Sequence, residues 1–208
     1  MKTGTVFHIL GRLLLFLSAT FLLPIPFSIY FHDGQVIVFL QSALITAIVG
    51  GILSWMFVSK DELSHRDGFA VVTFGWLGFV LFGALPFYIS GIIPSFVNCL
   101  FESMSGFTCT GSTILETVEI LSPSLIFWRS MTHWLGGMGI IVLYIAILPM
   151  LGIGGMQLFK AEVPGPIKDR LTPRIANTAR ILWGIYTLMT FLETILLMLA
   201  GMTFFDAI

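Results

Sequence analysis

Charge is what this sequence has least of. Only 10% of its 208 residues are Asp, Glu, Lys or Arg, against 57% that are hydrophobic, and the mean hydropathy is +0.99. So few polar groups cannot coat a water-soluble globule, which excludes a soluble domain and marks an integral membrane protein. The formal net charge of −1 leaves no excess of cations to neutralise phosphates, so a general nucleic-acid role is excluded too. Cysteine is scarce: Cys99 and Cys109 could pair only with each other, form no C-x-x-C motif, and read first as two small residues packed in a dry site. Neither G-x-S-x-G nor H-E-x-x-H occurs. The dyad alternation over about ten residues that a membrane barrel needs is also missing.

What is present is a series of long apolar runs separated by short charged segments. Spans are expected at residues 7–30, 36–58, 69–89, 125–148 and 175–202, each near or above the ~20 residues needed to cross a bilayer as a helix. Pro24 and Pro26 should kink or end the first of them. Lys2 and Arg12 before the first run mimic a signal peptide, but the run is long and has no small-x-small cleavage site, so it reads as a retained span. Lys2, Arg12, Lys60, Arg66, Lys160, Lys168, Arg170, Arg174 and Arg180 all fall on one side of this arrangement. The positive-inside rule then makes the amino terminus cytoplasmic, leaving Arg129 as the one exception.

Between the third and fourth spans hydropathy collapses, and the stretch "FESMSGFTCTGSTI" (101–114) is rich in hydroxyls. Residues 94–105 carry the marks of a short helix: Pro94 near its first turn, Phe96, Val97, Leu100, Phe101 and Met104 at helical spacing, and Gly106 where a cap belongs. Twelve residues at ~1.5 Å each reach about 18 Å, short of a ~30 Å hydrocarbon core, so the chain must turn back. The "FTCTGST" that follows favours extended backbone. One arrangement is an outer-surface loop that binds nothing, since Thr, Ser and Gly are ordinary loop material. The other, adopted here, is a re-entrant filter, because irregular backbone at membrane depth is tolerated only where protein buries it or it lines a watery cavity. Extended backbone can offer carbonyls that replace the hydration shell of a monovalent cation. The expected fold class is therefore all-α integral membrane, with about five transmembrane helices plus one re-entrant pore helix and an extended filter loop.

These residues resemble a known family. "FESMSGFTCTGST" and "FWRSMTHWLGGMGIIVL" are similar to the first repeat of the Trk/Ktr/HKT potassium transporter superfamily, and "GGMQLFKAEVPGPIKDRLTPRIANTAR" is similar to the linker of its TrkH type. The resemblance implies two accessory helices (1–67), a first pore repeat (68–150), a cytoplasmic basic linker (151–174), and the first helix with the start of the pore helix of a second, truncated repeat (175–208). It implies a four-repeat pore in which each repeat donates one loop. Here that loop is Thr108, Cys109, Thr110, Gly111 and Ser112, with the backbone carbonyls of Thr110 and Gly111 on the potassium ion, which is the transported ligand; no organic cofactor is expected. Glycine at 111, where sodium-preferring plant relatives tend to carry serine, points to potassium, and Cys109 stands where threonine is usual. The implied setting is a bacterial inner membrane. The implied partners are the lipid bilayer, a second copy of the full-length protein, and a cytosolic nucleotide-binding TrkA-like subunit docked on the basic linker. Transport is passive or a symport.

Four further residues attract attention. Arg129 and His133, four apart, share a helix face, and a cation near a cation pathway should be neutralised, by Glu102 or Glu193, unless it snorkels to the outer interface. Glu193 inside the last span needs a partner or water, and a structural pair is preferred to proton coupling. His133 reads as a hydrogen-bonded helix residue and "WLGGMG" as close helix packing. Two other functions stay open: a non-conducting scaffold, and a membrane hydrolase using Cys109 or Ser112 with His133 and a glutamate.

Overall fold

The computed structural model describes residues 3–57, 65–147 and 171–208, with side chains described at 3–57, 66–140 and 177–208. Most of the expected basic linker therefore lies outside the described residues, as does much of the charged segment after the second span. All regular structure among the described residues is helical. In chain order it comprises α1 (Thr3–Thr20), α2 (Ile25–Phe31), α3 (Val36–Met56), α4 (His65–Gly83), α5 (Leu85–Ile89), α6 (Phe96–Phe107), a 3-10 turn (Val118–Ile120), α7 (Pro123–Ile147), α8 (Leu171–Leu199) and α9 (Phe204–Ala207). Among the described residues four stretches are long and apolar enough to cross a membrane: Thr3–Phe31, Val36–Met56, Arg66–Ile89 and Asn177–Leu199. A fifth helix, α7, has 25 residues and so the length to cross at ~1.5 Å per residue. Arg129 and His133 interrupt its apolar run. Helix α8 begins at Leu171, so the last residues assigned to the linker are helical, with Pro173 in the first turn where its missing N–H does no harm.

Two compact units are present, Met1–Gly137 and Met138–Ile208. In the first, Leu17, Phe21, Phe39, Phe87, Phe107, Leu125 and Trp128 are completely buried and form one apolar core from α1, α3, α5, α6 and α7. His8 Nδ1 lies 2.8 Å from the Ser54 carbonyl and ties α1 to α3.

Proline sets both breaks in the spans. The first falls between Thr20 and Ile25, at Pro24 and Pro26. The second, which the apolar run at 69–89 concealed, separates α4 from α5 at Ala84, two residues before Pro86. There the buried Trp128 of α7 donates its indole N–H to the Gly83 carbonyl at 3.0 Å, while its ring meets Phe21 with centroids 4.5 Å apart.

The turn between α2 and α3 carries a carboxylate that reaches across the unit. Asp33 accepts the Ser124 hydroxyl at 2.6 Å and the Ser124 N–H at 3.0 Å in the first turn of α7. It also accepts the Gln35 N–H at 3.1 Å and a short hydrogen bond from Ser28. A negative group at a helix amino terminus both satisfies an orphan N–H and complements the helix dipole. Burial on its own would raise the pKa of Asp33, but the hydrogen bonds from Ser124, Ser28 and Gln35 together outweigh it and hold the pKa below its usual 3.8.

Candidate pore-loop site

Helix α6 starts after an extended Ser95 and runs two residues later than its sequence signals suggest, Phe96–Phe107 rather than 94–105. Its orientation is the reverse of a soluble amphipathic helix. Val97, Phe101 and Met104 are exposed, whereas Glu102, Ser103, Ser105 and Gly106 are buried. Outward apolar side chains suit a bilayer, and the polar face turns inward to find partners. Ser103 donates to the Val80 carbonyl of α4 at 2.9 Å.

Gly106 does not cap this helix. The left-handed residue is Cys109, with φ 54°; its N–H donates to the Gly106 carbonyl at 2.9 Å, and the Thr110 N–H donates to the Ser105 carbonyl at 3.0 Å. Those two bonds are a Schellman pair, which satisfies the last turn of α6 and reverses the chain. Gly106 is needed for packing instead: a methyl group there would overlap the side chain of Thr132 on α7. Gly136, one turn further along α7, meets the Phe107 carbonyl in the same way. Small residues thus let α7 lie directly on the end of α6.

Beyond the turn, residues 108–114 are exposed and non-helical, and Gly111 has φ 75°, where a side chain is disfavoured. Thr108 donates its hydroxyl to the Met104 carbonyl at 2.7 Å, and the Thr110 hydroxyl lies 2.8 Å from it. The N–H groups of Thr108, Cys109 and Thr110 all point back into α6, but among the described residues no donor is bonded to the carbonyls of residues 108–112. The segment therefore keeps a row of acceptors uncommitted.

The far end of this segment is held by Glu102, whose side chain is wholly buried. It accepts Arg129 Nε at 2.6 Å, the Thr113 hydroxyl at 3.0 Å from each carboxylate oxygen, and the Ile114 N–H at 3.3 Å. Arg129 and Glu102 are thus brought together. His133 Nδ1 lies 3.0 Å from the Arg129 carbonyl, an intrahelical bond. Glu193 is exposed on α8, within the second unit. Cys109 is exposed rather than packed in a dry site, and both cysteines are free thiols. Among the described residues no cluster of three His, Cys, Asp or Glu is placed to hold a metal.

The chain as a whole resembles known proteins. Residues 35–205 match the TrkH family, described as cation transport protein. The chain belongs to the TrkH family. Its whole length aligns with the Trk system potassium uptake protein TrkH of Salmonella typhimurium, 44% identical over 212 residues. The Trk system potassium uptake protein TrkG of Escherichia coli is 38% identical over 98% of the chain. The crystal structure of the potassium transporter TrkH from Vibrio parahaemolyticus superposes on the full chain with a TM-score of 0.86 at 37% identity. The chain spans less than half of each relative: 44% of the Salmonella protein, 42% of the TrkG protein and 42% of the Vibrio chain.

Sequence reasoning missed Thr113 and the Asp33–Ser124 pair. Thr113 sits two residues after Gly111, and that proximity was the available signal. Nothing in the sequence links residues 33 and 124.

Proposed function

We propose that this TrkH-family chain forms the amino-terminal portion of a four-repeat potassium uptake protein. Thr108, Cys109, Thr110, Gly111 and Ser112 supply one quarter of its selectivity filter, with the Thr110 and Gly111 carbonyls on the ion. The observation that carries this reading is the exposed row of uncommitted carbonyls directly after the carboxyl end of α6, on a backbone that is not the continuous extended one expected, since Cys109 and Gly111 are left-handed. A helix terminus carries roughly half a negative charge, and carbonyl dipoles can stand in for water around a monovalent cation. On this reading α6 is a re-entrant pore helix, α4 with α5 and α7 flank it as the first repeat (68–150), and α1 to α3 are accessory (1–67). Residues 175–208 open a second repeat. The amino terminus faces the cytoplasm of a bacterial inner membrane. The full-length protein pairs with a second copy, and the basic linker at 151–174 docks a TrkA-like cytosolic subunit.

The test of the filter is Gly111→Ser in the full-length protein. A serine at φ 75° is strained by about 1–2 kcal/mol and should displace its own carbonyl. Rubidium uptake measured against competing sodium should lose discrimination; unchanged discrimination at unchanged expression overturns the assignment. For the linker, reversing the charge of Lys168 and Arg170 should weaken co-purification of the cytosolic subunit, and undiminished recovery would remove that partner surface.

The Cys109 thiol donates to the His133 backbone carbonyl at 3.3 Å rather than to the imidazole, whose Nδ1 lies 3.0 Å from the Arg129 carbonyl, so the observed bonds give the Cys109–His133 version of a hydrolase no support.

A further inference from the structure

Both ends of the strand 108–112 are fastened to the same helix, and the two fastenings differ. The near end is tied by backbone bonds to Ser105 and Gly106. The far end is tied by side chains through Glu102, one turn earlier on α6. Thr113 is the centre of that second fastening: its one hydroxyl proton is shared between Oε1 and Oε2 at 3.0 Å each, while its oxygen accepts the Leu115 N–H at 3.1 Å. The carboxylate is held in turn by Arg129 on one oxygen and by the Ile114 N–H on the other. Glu102 is fully buried and so cannot exchange these partners for water.

We infer that Thr113 is a positioning residue for ion discrimination, which sets the placement of the 110–112 carbonyls through Glu102 without touching the ion. This rests on the reading of 108–112 as a filter. The physical reason is the short span: five residues clamped at both ends have little freedom, and releasing the far end lets the carbonyls beyond the Thr110 N–H anchor move. Arg129 is one step removed, because it holds the carboxylate rather than the strand. Thr113 is the only side chain of residues 108–113 that the described hydrogen bonds connect to Glu102.

The experiment uses the full-length protein in cells lacking other potassium uptake, with rubidium uptake measured against sodium and detergent-stable yield measured in parallel. Thr113→Val keeps the shape and removes the hydroxyl; Thr113→Ser keeps the hydroxyl and removes the methyl. The valine variant should lose about five- to tenfold in rubidium-over-sodium preference, the scale of one hydrogen bond, and serine should restore it. A purely structural role would lower yield and leave the preference untouched, and that result overturns the inference. If valine does not accumulate, Thr113→Ala decides by the same ratio. If Gly111→Ser shifts the ratio and neither Thr113 variant does, only this inference fails. If Gly111→Ser also leaves the ratio unchanged, the filter reading has failed beneath it.

Discussion

Glu102 shows how one residue can organise a site from below. A carboxylate with no solvent exposure is tolerable only when charge and hydrogen bonds compensate it, and here Arg129, Thr113 and Ile114 do so together. Breaking such a pair from one side is worse than removing both members, because the survivor stays buried and charged. Arg129→Gln should therefore destabilise by about 3–5 kcal/mol and reduce monodisperse protein in detergent more than it alters ion preference. The double variant Glu102→Gln with Arg129→Gln should recover part of the yield. Fluorescence-detected size-exclusion chromatography of the two variants checks both statements. Failure of the double variant to recover anything would mean the pair is held for something other than mutual charge compensation.

At the scale of elements, the turn before α3 and the start of α7 form a second clasp, which is sensitive to acid. Asp33 has its folded-state pKa below the ordinary 3.8. Its contribution is therefore complete above the unfolded value and lost as pH falls through the folded one. Asp33→Asn should lose about 1 kcal/mol near neutrality, the size of a helix-cap contribution. Thermal unfolding in detergent from pH 7 to pH 3 should show wild type and variant converging below about pH 4; a constant gap would contradict the linkage. This clasp was invisible in the sequence, since its partners are 91 residues apart and Asp33 reads as turn material. Four of the five expected spans were legible because a bilayer demands run lengths that nothing else requires. Pro24 and Pro26 were legible as a break because proline removes a helix donor, yet Pro86 was passed over inside an otherwise continuous apolar run. The existence of α6 was readable from its period, but not which face lies inside: Glu102 and Gly106 are buried and Phe101 is exposed. Gly106 was misread as a cap because glycine serves both sharp turns and close packing, and only the neighbour on α7 distinguishes the two.

For the molecule as a whole, the chain covers 44% of the length of the Salmonella relative, and on the proposed reading its single loop would offer one side of a coordination shell. Residues 1–208 expressed alone should insert in membranes yet give no rubidium uptake above background, whereas the full-length protein should restore it; uptake by the segment alone would refute the shared-filter architecture. The interruption between α4 and α5 bears on how such a protein comes together. Its last carbonyl on the α4 side, that of Gly83, is served by Trp128, a residue made 45 positions later. Lipid offers that oxygen nothing in the interval. The bend itself is local, set by Pro86, but a nascent α4–α5 released before α7 is made would lack the donor that satisfies the carbonyl at that bend.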